Sequence, residues 1–229
     1  MVSVIFPAAG QGKRMQAGKN KVLLELAGQP IFLRTLLRFS AVPAVSELIV
    51  VTGADELPLM QQMLAATPGL KPWRLVEGGS ERQYSVRNGL YAASPQAEVI
   101  LVHDAARPLV SRETIEAVIE GACTSGAAIA AVPSKDTIKV VDDAGIVQST
   151  PPRQKLWLVQ TPQGFRRELL LRANEQAEQD GFLGTDDASL VERLGVPVKV
   201  VPGSYENIKL TTPGDMLVAE AFLQAEEKL

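Results

Sequence analysis

The sequence is short of the residues that make covalent and metal cross-links. Its 229 residues include one cysteine, Cys123, and one histidine, His103. A lone cysteine excludes an intrachain disulfide and any thiolate cluster, and one histidine beside it cannot assemble a zinc site of several His or Cys ligands. A metal must then be held by oxygen, which points to Mg²⁺ or a similar hard cation. No uninterrupted apolar run reaches the ~18 residues that a membrane span requires. The start, Met1-Val2-Ser3-Val4-Ile5-Phe6, lacks a basic segment and a small-residue cleavage site, so the expected location is cytoplasmic. A basic excess is missing too: the formal net charge is −3 and the pI about 5.4. That argues against a dedicated nucleic-acid binder, while local basic clusters can still serve small phosphorylated ligands.

What is present is ordinary for a globular chain. At 46% hydrophobic and 21% charged residues, disordered, collagen-like and fibrous classes are excluded. The length suits one well-packed α/β domain or two small ones. There is no low-complexity segment and no repeat of fixed period. Short apolar strands are expected at Val2–Phe6, Glu47–Val51, Trp73–Val76, Glu98–Val102, Ala127–Val132, Leu156–Gln160 and Val196–Val201. Helical spacing marks Pro30–Phe39, Leu57–Ala66, a helix opened by a Ser80/Gln83 capping box, and a segment with Ile115, Val118, Ile119 and Ala122 on one face. Further helices are expected at Phe165–Gln179 and Asp186–Leu194, with Thr185 a possible cap for the second. A last helix has Thr212 as N-cap and Pro213 at its first position. Apolar strands alternating with helices predict a mostly parallel sheet covered on both faces. Ligands of such sheets bind beyond the carboxyl ends of the strands. The polar clusters Gly10–Arg14, Gly78–Arg82 and His103–Arg107 follow the first, third and fourth strands.

The rhythm breaks in the middle. Thr137–Val141 and Ile146–Ser149 flank the turn-rich Asp142-Asp143-Ala144-Gly145, which predicts a β-hairpin arm across 134–155. Isolated hairpins are marginal in water. The arm either folds back on its own domain or, the favoured reading, packs on a second subunit.

Three motifs carry chemistry. After the first strand, Pro7-Ala8-Ala9-Gly10-Gln11-Gly12-Lys13-Arg14-Met15 suits a phosphate-binding loop, because glycines let backbone N–H groups approach phosphate oxygens. Lys13, Arg14, Lys19 and Lys21 put four cations within nine positions. The dinucleotide fingerprint fails at Met15, and the Walker A loop fails at Pro7 and Arg14. At the end of the fourth strand, Asp104 stands at the rim of the binding face, where a carboxylate can hold Mg²⁺. Arg107 has the planar fork that binds two phosphate oxygens. His103, without an evident orienting partner, reads as structural rather than as a general base.

The motifs Pro7-Ala8-Ala9-Gly10-x-Gly12-x-Arg14-Met15, Glu81-Arg82-x-x-Ser85-Val86, His103–Pro108, Asp136-Thr137-Ile138-Lys139, Thr161-Pro162-Gln163, Thr185-Asp186 and Asn207-Ile208-Lys209 occur in this order. Together they resemble the 2-C-methyl-D-erythritol 4-phosphate cytidylyltransferases of the non-mevalonate isoprenoid pathway, from Pro7 to the last helix. The resemblance implies a Rossmann-like nucleotidyltransferase fold, a single domain over 1–229, a homodimer formed through the β-arm, and Mg²⁺. It implies transfer of CMP from CTP to methylerythritol phosphate with release of pyrophosphate. On that basis Arg14, Lys21 and Lys209 are the catalytic cations. Pro7, Ala8, Ala9, Gly10, Gly12, Gly79, Ser80 and Ser85 form the nucleotide pocket. Asp104, also the metal ligand, lines the acceptor side with Ala105, Thr161 and Thr185, while Arg107, Thr137 and Arg153 reach the sugar phosphate across the dimer interface. The chain departs from the common family pattern at Asn20 and Val22, which flank Lys21, and at Ser80, where aspartate is frequent.

The residue types suit that chemistry without the name. A sugar-phosphate nucleophile is already ionised at neutral pH, so the task is to join two polyanions and to stabilise charge at the α-phosphorus. The rival readings are a cytidylyltransferase for another polyol phosphate, such as ribitol 5-phosphate, and a non-catalytic nucleotide-binding regulator. A dehydrogenase is weakened by Met15.

Overall fold

The structure is a computed structural model that describes residues 1–10 and 20–226. Strand β1 (Val2–Pro7) leads towards a short 3-10 turn, Lys21–Leu23, and a two-residue ribbon, β2 (Glu25–Leu26) with β3 (Gln29–Pro30). Then follow α1 (Ile31–Ser40), β4 (Val45–Thr52), α2 (Leu57–Ala65), β5 (Trp73–Glu77), α3 (Arg82–Ala92) and β6 (Val99–Val102). The second half comprises α4 (Arg112–Ser125), β7 (Ala127–Pro133), the arm strands β8 (Val140–Val141) and β9 (Val147–Ser149), and β10 (Trp157–Arg166). It ends with α5 (Arg167–Gln179), α6 (Asp187–Arg193), β11 (Lys199–Pro202) and α7 (Pro213–Glu226).

Seven strands form the main sheet in the order β11-β7-β10-β6-β1-β4-β5. All neighbours pair parallel except at β10, which runs antiparallel to both β6 and β7. The sheet is thus mostly parallel, as predicted, and its inner strands β1, β4, β6 and β7 are buried on both faces. Alternate residues supply two apolar layers. Val4, Phe6, Leu48, Val50 and Leu101 join Phe32, Leu36 and Phe39 of α1 and Ile115 and Val118 of α4. Ile5, Ile49, Val51, Ile100 and Val102 join Val86 and Leu90 of α3 and Leu169 and Leu170 of α5. Phe6 and Phe39 meet edge to face at 5.1 Å between ring centroids. Each fully buried side chain of this size contributes about 1.5–3 kcal/mol. Gly89 lets α3 lie close to the sheet, since a Cβ there would stand 2.6 Å from Ile5 Cγ2 and 3.0 Å from Val51 Cγ2.

The structure differs from the sequence expectations at five places, the first being the last strand, which starts at Lys199 instead of Val196. Phe165 belongs to β10 and not to the following helix. It pairs with Ile100 on one side and Ala127 on the other and is fully buried, so burial between two strands outranks its helical spacing. The Ser80/Gln83 box does not form: Glu81 is the N-cap of α3, while the Gln83 amide spans to the Phe182 carbonyl at 3.1 Å and accepts from Gly184 N at 2.9 Å. The cap of α6 is Asp186, accepting from Ser189 N at 3.0 Å, rather than Thr185. In the arm only Val140–Val141 and Val147–Ser149 are paired, and Thr137–Lys139 stay outside the ladder. Asp142 organises the arm's turn by accepting from Ala144 N and Ile146 N. At α7 the expectation holds, with Thr212 Oγ1 accepting from Asp215 N while Asp215 accepts from Thr212 N.

Candidate active site

The carboxyl ends of β1, β4, β5 and β6 lie along one edge, and the loops that leave β1, β5 and β6 enclose a cavity of about 230 Å³. Pro7, Ala8, Ala9 and Gly10 form one wall, Gly79, Ser80, Glu81, Arg82 and Ser85 a second, and Asp104, Ala105 and Ala106 the floor. Lys21 and Lys209 complete it. The sheet order places β6 beside β1, so the fourth and first strand-end clusters meet here.

Local bonds explain the shape of the walls. Ala8 N donates to Val51 O and Gly78 N to Thr52 O, which continues the sheet pairing into the loops. Ser85 Oγ accepts from Gly79 N at 3.1 Å and donates to Glu81 O at 3.1 Å, folding the second wall over the start of α3. A Cβ on Gly79 would stand 2.5 Å from Tyr84 Cβ, so only glycine permits this approach.

Asp104 is the electrostatic centre. Its carboxylate lies 2.9 Å from Lys209 Nζ, 3.6 Å from Arg107 Nε and 3.7 Å from Arg82 Nε. Burial alone would raise its pKa, but the three cations, Lys209 foremost, hold it well below the usual carboxylate range. Arg82 in turn donates to the buried Asp187 at 2.8 Å. Burial disfavours the charge of Arg82, yet Asp187 and Asp104 more than compensate and keep it firmly protonated.

The loop behind Asp104 is fixed by its backbone. Asp104 N donates to Thr161 Oγ1 at 3.0 Å, Ala105 O accepts from Thr35 Oγ1, and Ala106 O accepts from Leu210 N. His103 is fully buried between Phe6 and Phe39. Its Nε2 is 3.1 Å from the Arg107 carbonyl, an acceptor, so Nε2 carries the proton and Nδ1 accepts from the Thr161 hydroxyl at 3.1 Å. Burial lowers its pKa from 6.5 to about 3. His103 is therefore neutral, saturated and structural, as its sequence position predicted. Asn207 ties the opposite loop in, its Nδ2 donating to Thr161 O at 2.9 Å and its carbonyl accepting from Arg107 Nη1 at 2.6 Å. Two residues later comes Lys209.

Of the residues singled out in the sequence, Pro7, Ala8, Ala9, Gly10, Lys21, Gly79, Ser80, Ser85, Asp104, Ala105 and Lys209 are brought together. Thr161 stands directly behind Asp104. Arg107 is turned inward, against Asp104 and the Asn207 carbonyl. Thr185, Thr137 and Arg153 are exposed and line no part of the cavity, and Arg153 donates to Lys135 O in the arm. Gly12 and Arg14 lie outside the described residues. Sequence reasoning assigned no role to Arg82, although its motif was noted, nor to Asp187 and Asn207. Their positions in Glu81-Arg82, Asp186-Asp187 and Asn207-x-Lys209 were the available signal.

Arg82, Lys21 and Lys209 against Glu81 and Asp104 leave the cavity a net cationic lining, suited to a polyphosphate. The profile of the 2-C-methyl-D-erythritol 4-phosphate cytidylyltransferase family matches residues 2–225. A Bacillus licheniformis protein of that name is 50% identical over 225 residues, covering 98% of this chain and 96% of its own. One from Geotalea uraniireducens is 50% identical over 227 residues, covering 98% and 97%. Among solved structures, the 4-diphosphocytidyl-2C-methyl-D-erythritol synthase of Anaerococcus prevotii superposes with a TM-score of 0.87 at 36% identity, covering 98% of this chain and 96% of that one. With the motifs, the sheet order and these likenesses in agreement, the chain belongs to the 2-C-methyl-D-erythritol 4-phosphate cytidylyltransferase family.

Proposed function

We propose that this cavity transfers the cytidylyl group of CTP to 2-C-methyl-D-erythritol 4-phosphate, giving 4-diphosphocytidyl-2-C-methyl-D-erythritol and pyrophosphate. The observation that carries the reading is Asp104, held ionised on the floor of a cation-lined cavity between the nucleotide loop and Lys209, in a chain of this family. The phosphate oxygen of the acceptor attacks the α-phosphorus of CTP and the bond to the bridging oxygen of pyrophosphate breaks. No proton need be removed from the nucleophile, which accords with a site whose only histidine is buried and neutral.

Lys21 and Lys209, with Arg14, offset the charge that builds on the α-phosphoryl oxygens and the leaving pyrophosphate. The backbone of Ala8, Ala9, Gly10 and Gly79, with Ser80 and Ser85, frames the nucleoside, and Gly12 belongs to the same loop. Ala105, Arg107, Thr161 and Thr185 serve the acceptor side. Thr137 and Arg153 are supplied by the arm of a second copy, which makes the enzyme a homodimer with 134–155 as the exchanged element of a single domain over 1–229. The exposed Val140, Val141, Ile146 and Val147 of the arm support that assignment, because burial against a partner would remove them from water.

Mg²⁺ fits the donor set. The described residues contain no group of three or more His, Cys, Asp or Glu ligands, and a hard cation that takes most of its shell from phosphate oxygens and water needs only one carboxylate. Asp104 would be that carboxylate, and Mg²⁺ held there would supply charge neutralisation of the triphosphate and polarisation of the α-phosphate. Among the described residues no helix is long and apolar enough to cross a membrane, and we place the enzyme in the cytoplasm.

The decisive experiment measures Mg²⁺-dependent pyrophosphate release from CTP with methylerythritol phosphate, with ribitol 5-phosphate and with no acceptor. Release confined to the first supports the reading. Release with ribitol phosphate alone moves the acceptor, and CTP binding without release makes the protein a regulator.

A further inference from the structure

Lys21 opens a 3-10 turn of only three residues, a support too short to fix a long side chain by itself. The residue before it is buried, 6% exposed, and spends its entire amide on the turn's surroundings. Asn20 Nδ2 donates to the Ala8 carbonyl at 2.6 Å and to Glu56 Oε2 at 2.8 Å, while Oδ1 accepts from Val22 N at 3.3 Å. The Asn20 carbonyl also accepts from Leu23 N. Glu56 Oε2 is in turn held by the Thr52 hydroxyl at 2.7 Å. Ala8 directly follows β1 and lines the cavity, and Thr52 ends β4. One amide thus joins two strand ends of the sheet edge to the turn that carries Lys21.

We propose that Asn20 is a positioning residue for the transfer reaction: it fixes the Lys21 turn to the nucleotide wall at Ala8 through a clamp shared with Glu56 and Thr52. The inference rests on the reading of the cavity given above, with Lys21 in the transfer step. The chemistry of the site selects asparagine. Two donors and one acceptor on a one-carbon stem meet Ala8 O, Glu56 Oε2 and Val22 N together. Aspartate keeps the cap on Val22 but has no donor for Ala8 and sets a second carboxylate against Glu56. Alanine keeps none of the three bonds. A clamp of this kind acts by holding Lys21 in register with the reacting phosphate, and misplacement of about 1 Å can cost up to ~10²-fold in rate.

The test is a double-mutant cycle read by pyrophosphate release, with thermal unfolding recorded for each variant. Asn20→Ala should lower kcat about tenfold while KM for methylerythritol phosphate stays within about twofold, the pattern of a lost positioning contact. In a Lys21→Ala background the same change should cost less than about twofold, because residues that act as a unit are non-additive. An equal loss in both backgrounds overturns the proposal and leaves the cavity reading intact. Full turnover by Lys21→Ala alone overturns the role of Lys21 and the proposal with it. A second variant pair covers a folding failure of Asn20→Ala. Asn20→Asp should be impaired, and adding Glu56→Gln, which restores a donor between the two side chains, should recover kcat several-fold. Absence of recovery overturns the clamp.

Discussion

Asp104 takes its properties from its neighbours. An isolated carboxylate this buried would prefer its proton, yet Lys209, Arg82 and Arg107 surround it so that it stays ionised throughout the physiological range. His103, one residue earlier, is driven the opposite way from its charged form by the apolar layer that encloses it. The two make a testable contrast in acid. With a folded-state pKa near 3 against 6.5 when unfolded, His103 binds its proton only in the unfolded chain across that interval. Stability is therefore lost as pH falls below 6.5, by about 1.4 kcal/mol per pH unit. His103 is the only histidine, and between pH 6.5 and about 5 it contributes a stability that rises with pH, whereas the buried Asp187, whose pKa burial raises, acts in the opposite sense. Urea titrations across that window should show the rise with pH in the natural chain and its loss in His103→Gln. A slope that persists in the variant would contradict the assignment. At Lys21 the expectation is kinetic: Lys21→Ala should lower turnover about 10²–10³-fold, by analogy with lost oxyanion donors, with CTP affinity changed far less. Isothermal titration beside steady-state kinetics separates the two.

At the scale of the element, α3 shows how closely helix and sheet are fitted. Gly89→Ala would gain about 1 kcal/mol of helix propensity. The added methyl would meet Ile5 and Val51 well inside contact distance, an overpacking that costs about 1–3 kcal/mol. A net loss in chemical denaturation is expected, and a stabilised variant would refute the packing account. The legibility of the chain also divides by element. Strands β1, β4 and β6 hold the apolar runs Val4–Phe6, Leu48–Val51 and Val99–Val102, and Asp104 and the Pro7–Gly10 loop follow from the rule that ligands gather at strand ends. The spacing of Phe165 suits a helix, and only the two flanking strands reveal its burial in β10. The supporting bonds were out of reach for a related reason. Arg82 and Asp187 are 105 positions apart, His103 and Thr161 58, and Asn20 and Glu56 36. No local pattern records such partners. The same long-range bonds divert Gln83 from the capping box that its neighbours promise.

For the molecule as a whole, the homodimer proposed above makes the arm the element that joins two chains. Val140, Val141, Ile146, Val147, Trp157 and Leu158 are all exposed, and the arm's own ladder is too small to shelter them. Deleting Asp136–Ser149 should convert the enzyme to a monomer in sedimentation and raise KM for the sugar phosphate, while CTP binding persists. A deletion that remains dimeric, or a monomer of unchanged KM, would show that the arm serves neither purpose. The reversed strand β10 gives this arrangement a further meaning. Because it begins beside the end of β7, with Trp157 opposite Pro133, the hairpin leaves and re-enters the sheet at the reacting edge. Insertion at that point perturbs no crossover and no buried layer. The hairpin is accordingly a graft on a closed sheet, and its length and composition can vary without repacking either apolar layer.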